Sequence, residues 1–232
     1  MNTKKPLPSW LPLVVGGLLV VQFLGLSVWQ ISRGMEKRET QQLYEDSASF
    51  SEWQSGEAVR SFQHLRATGR YDSRHQIVLD NIIMNHRRGH YVITPLELGA
   101  DVPVLLVNRG WIETNAFDST SLEVTEETLQ VRGRAGSLPK AGYKMGEAFE
   151  PSATWPKHAV YPSLDDVAAE LGRDVHPFVL LMTPEEENGF FRHWVPTEFG
   201  PSKHFGYAFQ WFAMAAVLFG LLLWNYKRRK FV

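Results

Sequence analysis

The 232-residue sequence predicts a membrane protein in which two transmembrane α-helices flank an α+β outer domain, built mainly on an antiparallel β-sheet that could curl into a barrel-like form. Three observations predict it. No charged residue occurs from Pro6 to Ser32 or from Phe205 to Tyr226, and each run reaches the roughly 20 helical residues needed to cross a hydrocarbon core of about 30 Å. Between these runs, short β-like stretches alternate with Gly, Pro and Asp/Asn clusters. A single amphipathic helix interrupts the stretches.

Taken in order, Lys4 and Lys5 precede the first apolar stretch, Leu11 to Ile31. It is longer than the roughly 7–15-residue core of a signal peptide, and its exit, Trp29-Gln30-Ile31-Ser32-Arg33, has no small-x-small cleavage pattern. It therefore reads as a retained anchor. No Arg- and Ser-rich transit segment precedes it, which points to a bacterial inner membrane. The second run ends in Lys227-Arg228-Arg229-Lys230. Basic residues at both ends place both termini in the cytoplasm and the middle of this multi-pass chain in the periplasm. The expected divisions are a tail (1–10), a first span (11–31), a periplasmic α+β domain (32–203), a second span (204–226) and a tail (227–232). One consequence follows: Trp29, Gln30 and Arg33 must lie at the same membrane face as His204, Tyr207 and Trp211.

Met35 to Tyr44 is rich in helix formers and should continue the first helix into water. Strands are expected at Leu65–Tyr71, Gln76–Ile83, His90–Leu98, Val104–Ile112, Thr128–Ala135 and Phe178–Met182. Arg87-Arg88-Gly89 reads as a loop, and Trp155 to Pro162 as an irregular approach to the helix. That helix starts at a Ser163 cap, with Asp165 and Asp166 in its first turn. Leu164, Val167, Ala168 and Leu171 form its apolar face, and Gly172 ends it. Phe199 to Ser202 reads as the hinge back into the membrane.

Composition excludes several functions. The net charge of −1 argues against a basic nucleic-acid binder, and no charge run marks an acidic tail. With no cysteine there are no disulfides, thiol chemistry or iron–sulfur clusters, and the six methionines stand singly, against a Cu(I) carrier. No nucleophile elbow, P-loop or dinucleotide fingerprint occurs. Gly133-x-x-Gly136 and Gly142-x-x-x-Gly146 are loop glycines. His86 and His90 are spaced for a metal only on a helix, and His64, His75, His158, His176 and His193 stand singly. Asp80, Asp118, Asp165 and Asp166 have no evident catalytic companion. Asn108-Arg109-Gly110-Trp111 reads as a strand end with a glycine-permitted bulge and Trp111 in the core, or as a partner surface with Arg109 free for carboxylate or phosphate pairing.

The membrane ends carry more. On a helix, His204, Tyr207, Ala208 and Trp211 fall at i, i+3, i+4 and i+7. An aromatic belt explains Tyr207 and Trp211, but not His204 or Gln210. Gln22 and Gln30 make the first span more polar. Polar groups at this depth face another helix or a ligand. Two readings stand: helix–helix packing, or haem, whose iron a neutral imidazole ligates and whose propionates Arg33 or Lys37 could meet.

Four stretches, "LGLSVWQISRGMEKR" (Leu24–Arg38), "GHYVITPLEL" (Gly89–Leu98), "LLVNRGWI" (Leu105–Ile112) and "KHFGYAFQWFAMA" (Lys203–Ala215), resemble, in this order, the surfeit-locus family of cytochrome c oxidase assembly proteins of bacterial type. The resemblance implies a non-enzymatic assembly factor of the respiratory chain, which assists haem a insertion into subunit I of the oxidase and holds haem a transiently at the outer membrane face. It implies His204 as ligand to the haem iron, with Trp29, Gln30, Arg33, Tyr207, Gln210 and Trp211 around the haem, and Arg109 and Trp111 toward a partner. Subunit I, the lipid bilayer and haem a synthase are the implied partners. The alternative is a cofactor-free membrane chaperone that clamps subunit I.

Overall fold

The computed structural model describes residues 8, 10–45, 49–118, 122–139, 146–152, 154–196 and 200–230. Most of the N-terminal tail, residues 231–232, Gly142 and the Phe199 end of the expected hinge lie outside the described residues. The chain forms two compact units. One comprises Met1–Gln42 and Pro196–Val232, the other Leu43–Val195.

The second unit is a β-domain. Its strands are β1 (Ser51–Glu52), β2 (His64–Tyr71), β3 (Ile77–Met84), β4 (Arg87–Glu97), β5 (Val104–Glu113), β6 (Thr128–Gly136), β7 (Lys157–Ala159) and β8 (Val175–Met182). They form one eight-stranded sheet in the order β1-β2-β6-β8-β5-β4-β3-β7. A further antiparallel pairing of β2 with β4, Arg70 to Glu97 and Tyr71 to Leu96, turns the sheet into a partial ring. The pairings are mixed: β1–β2, β3–β7 and β5–β8 run parallel and the others antiparallel. β2 alternates buried and exposed positions, as a strand with one covered face does, while β5 is buried without a break from Val104 to Trp111 because both its faces are covered. One face of the ring strands contributes Leu65, Leu96, Leu105, Val107, Val131 and Leu180 to one core. The other contributes Ile93, Leu106 and Val179 to a second, completed by Ile77, Leu79 and Val167.

Val167 lies on helix α2 (Leu164–Leu171), whose ends follow the sequence reading. Ser163 and Asp166 form a capping box, and Gly172 closes the helix in the left-handed conformation at φ 64°. Two local expectations are corrected. Arg87-Arg88-Gly89 is strand rather than loop, because the β3–β4 connection contracts to Asn85 and His86, both at positive φ, the conformation of a two-residue hairpin turn. The irregular approach expected at Trp155–Pro162 contains β7, which pairs along the β3 edge.

The first unit consists of helices α1 (Leu11–Glu45) and α3 (Pro201–Lys230). Both are long and apolar enough to cross a membrane, with mean hydropathy of 2.2 and 1.7 in their apolar segments, and they fit a membrane protein. α1 continues past its apolar part through Met35–Tyr44, as the helix formers there predict.

Candidate functional site

Contacts between α1 and α3 pair low numbers with high ones. Ser27 Oγ donates to the Ala208 carbonyl at 2.9 Å. His204 Nδ1 lies 2.8 Å from Gln30 Oε1. The Phe23 and Trp211 rings lie 5.5 Å apart. A Cβ on Gly16 would come within 2.6 Å of Leu222, and one on Gly34 within 2.8 Å of Phe205. The helices are therefore antiparallel and in close contact. Lipid supplies no hydrophobic drive between helices, so association rests on close packing at small residues. The fully buried positions are Gly16, Ser27 and Gly34 on α1 with Ala208 and Ala215 on α3.

The seam has a regular period. Buried or half-buried positions recur at Gly16, Val20, Phe23, Ser27, Gln30 and Gly34, and at His204, Ala208, Trp211, Ala215, Leu218 and Leu222. Steps of four and three alternate, the 3.5-residue repeat of a left-handed pair. Ser27, Gly34, Ala208 and Ala215 then occupy the a position, and Phe23, Gln30, His204 and Trp211 the d position. Reversing one helix brings the g and c positions of both to the same side of the seam, the side toward which d also leans. Trp29 and Gln210 are at c, and Arg33 and Tyr207 at g. All the membrane-end residues proposed from sequence thus share one flank, which Gln22, also at c, extends. The opposite flank, b and e, carries Leu24, Val28, Ile31, Phe205, Phe209 and Phe212 and is apolar along this stretch, with Arg38 and Ser202 beyond its end. From Arg33 to Phe23 the polar flank runs ten residues along α1, about 15 Å at 1.5 Å per residue.

The polar flank is open. Trp29 and Tyr207 are 51% and 53% exposed, and Gln210 is exposed too. Arg33 sits 5.9 Å from the Trp29 ring and pairs with Glu36 at 2.7 Å. Ala208, which one helical face would group with Tyr207, turns into the seam instead. Gln30 Oε1 only accepts, so in this contact His204 donates from Nδ1 and Nε2 is not engaged by Gln30. This donor set suits a flat, partly charged group: an imidazole nitrogen for a metal centre, aromatic rings for its faces and a guanidinium for an acidic edge.

Arg109 and Trp111 belong to the β-domain, and Arg109 departs from the partner-surface expectation. Arg109 is 2% exposed. Its guanidinium donates to Asn188 O at 2.8 Å, Gln76 Oε1 and Leu122 O at 3.1 Å each, and Glu123 O at 3.4 Å. Burial pushes its pKa down to about 10. The strand-bulge reading fits: Arg109 and Gly110 together oppose Val92, between the pairs Asn108–Ile93 and Trp111–Tyr91. Gly110 adopts φ 114°, and a Cβ there would approach Phe191 O to 2.7 Å. Trp111 is buried at 9% and donates to Ile82 O.

Sequence reasoning missed one cluster. The Asp80 carboxylate lies 2.6 Å from His90 Nδ1 and 3.0 Å from His158 Nδ1, with Thr114 Oγ1 at 3.2 Å from His90 Nε2. Residues 78 positions apart meet here only because β7 joins the edge of β3. Among the described residues, no group of three or more His, Asp or Glu side chains is arranged to hold a metal ion.

Two helices long and apolar enough to cross a membrane, with one polar flank, and a β-domain forming a partial ring define a class: two-helix membrane-anchored proteins that carry a β-domain. The sequence profile of the SURF1 family matches residues 17–216, and the chain belongs to that family. It is a cytochrome oxidase assembly family. No curated protein matches the chain.

Proposed function

We propose that this protein is a non-enzymatic assembly factor that holds haem a transiently on the polar flank of the helix pair and passes it to subunit I of the oxidase, at the outer face of a bacterial inner membrane with both termini inside. One observation carries the reading. The polar side chains near the outer ends of both helices share one flank, while the other flank is apolar and suits lipid. Polar groups are not maintained against hydrocarbon without a partner.

In this reading His204 gives the iron one nitrogen, Trp29, Tyr207 and Trp211 lie against the macrocycle, Gln210 lends a polar contact and Arg33 meets a propionate. A single axial imidazole makes the hold reversible, which a carrier needs. Haem a synthase is the natural donor. The test is spectroscopic: protein purified from cells making haem a should show a Soret band, and His204→Ala should lose at least nine-tenths of it. An undiminished band in the variant removes His204 as ligand.

A second reading rests on the two hydrogen bonds across the seam, Ser27 to Ala208 and His204 to Gln30. If they only clamp the helices, the protein is a cofactor-free chaperone of subunit I. Then wild type takes up no haem in titration, and His204→Gln still supports oxidase assembly.

A further inference from the structure

Polar contacts across the seam include Ser27 to Ala208 and Gln30 to His204. The first ends on a backbone carbonyl. The second ends on the ring proposed to bind iron and uses one of its two nitrogens. A side-chain amide oxygen has no proton to give, so His204 donates from Nδ1 in this contact, and in a neutral ring Nε2 is then the nitrogen with the lone pair. One heptad along the seam Trp211 packs against Phe23, and Ser27 with Ala208 forms the layer between that pair and His204.

We propose that Gln30 is the positioning residue of the site: it holds His204 in the Nδ1–H tautomer, turns Nε2 toward the polar flank and raises the donor strength of that nitrogen. This rests on the haem reading above. The chemistry is that of outer-shell hydrogen bonds to metal-bound histidine, which fix tautomer and ring orientation and whose loss typically costs 10–100-fold in metal affinity. Gln30 cannot meet the iron itself in this role, because its oxygen is engaged by the ring.

The test uses the full chain in nanodiscs with 15N-labelled histidine, His204 being assigned by difference from His204→Ala. Haem-free wild type should show the Nδ1–H tautomer at His204, and Gln30→Leu a shift toward Nε2–H. Haem titration should then give about tenfold weaker binding for Gln30→Leu and a higher reduction potential of the bound iron. Gln30→Glu keeps the acceptor and should restore affinity and lower the potential. Ser27→Ala removes the neighbouring interhelical bond without touching the ring, so it should leave affinity within about twofold of wild type.

An Nε2–H tautomer in wild type overturns the proposal, as does equal affinity and potential in Gln30→Leu. Equal weakening by Ser27→Ala also overturns it, because it reduces Gln30 to helix packing. Wild type that shows the Nδ1–H tautomer but takes up no haem overturns the haem reading as well, a failure distinct from the others.

Discussion

Arg109 in the β-domain and His204 in the helix pair are both polar groups withdrawn from water, and they end differently. Arg109 directs its guanidinium at four oxygens of its own domain. His204 has one nitrogen engaged by Gln30, which leaves the other available. A buried polar group whose capacity is used up holds the fold together; one with capacity left over can serve a ligand. The surroundings differ in the same sense. Around Arg109, Gln76 also receives Thr94 Oγ1 at 2.7 Å and donates to Leu122 O at 2.8 Å, a closed network. Around His204 the flank opens onto exposed Trp29 and Tyr207.

Removing Arg109 should break this comparison most forcefully. Arg109→Ala takes the donor from Asn188 O and Glu123 O, while Gln76 Oε1 keeps Thr94 Oγ1 and Leu122 O keeps Gln76 Nε2, and each unsatisfied buried acceptor costs about 1–3 kcal/mol. The expected loss is about 3–4 kcal/mol, read from the urea midpoint of the β-domain. Haem uptake per folded molecule should not change. A loss under about 1 kcal/mol would mean that water replaces the guanidinium and that the network is not closed.

Gly34→Leu attacks the other side of the comparison. A Cβ at Gly34 already comes within 2.8 Å of the Phe205 ring, so a leucine must displace that ring or part the helices. Overpacking of this kind costs about 1–3 kcal/mol, here paid by the helix pair alone. Because the chain has no cysteine, Phe23→Cys with Trp211→Cys gives a clean reporter, and cross-linking between them should slow in the Gly34→Leu background. The urea midpoint of the β-domain should not move.

How far the sequence carried the reading differs between the units for a physical reason. In the β-domain the apolar runs marked β2 to β6 and β8, and the caps marked α2, because those signals are local. β1 and β7 have no local signal. Ser51–Glu52 is exposed, and Lys157–Ala159 lies between prolines; both are strands only because an edge was there to pair with. The Asp80–His90–His158 cluster was hidden for the same reason. The partner-surface alternative for Arg109 stays open in the sequence because its acceptors are mostly backbone carbonyls, which leave no trace in residue identity. In the helix pair the sequence groups His204, Tyr207, Ala208 and Trp211 by the face of one helix. Only the partner helix separates Ala208, in the seam, from Tyr207, on the flank.

The smallest expected effect is one of pH, and it concerns the β-domain alone. His176 is buried, lies 3.2 Å from Ser55 Oγ and packs edge-on against Trp53; burial holds its pKa below the ordinary 6.5. His64 is held low by burial and by the nearby Arg134 charge, and its Nδ1 is buried without a hydrogen-bond partner. Both rings therefore bind a proton more weakly folded than unfolded. Above pH 6.5 neither state is protonated and their contribution is fully present. As pH falls below 6.5 the unfolded chain takes up protons first, and stability declines until the folded rings titrate too. Each ring can add at most one proton to the difference, about 1.4 kcal/mol per pH unit. His176→Gln keeps a partner for Ser55 and removes one titrating ring, so the midpoint of β-domain unfolding should fall less steeply between pH 6.5 and 5. An unchanged slope would assign the whole effect to His64, whose Gln variant should then flatten it.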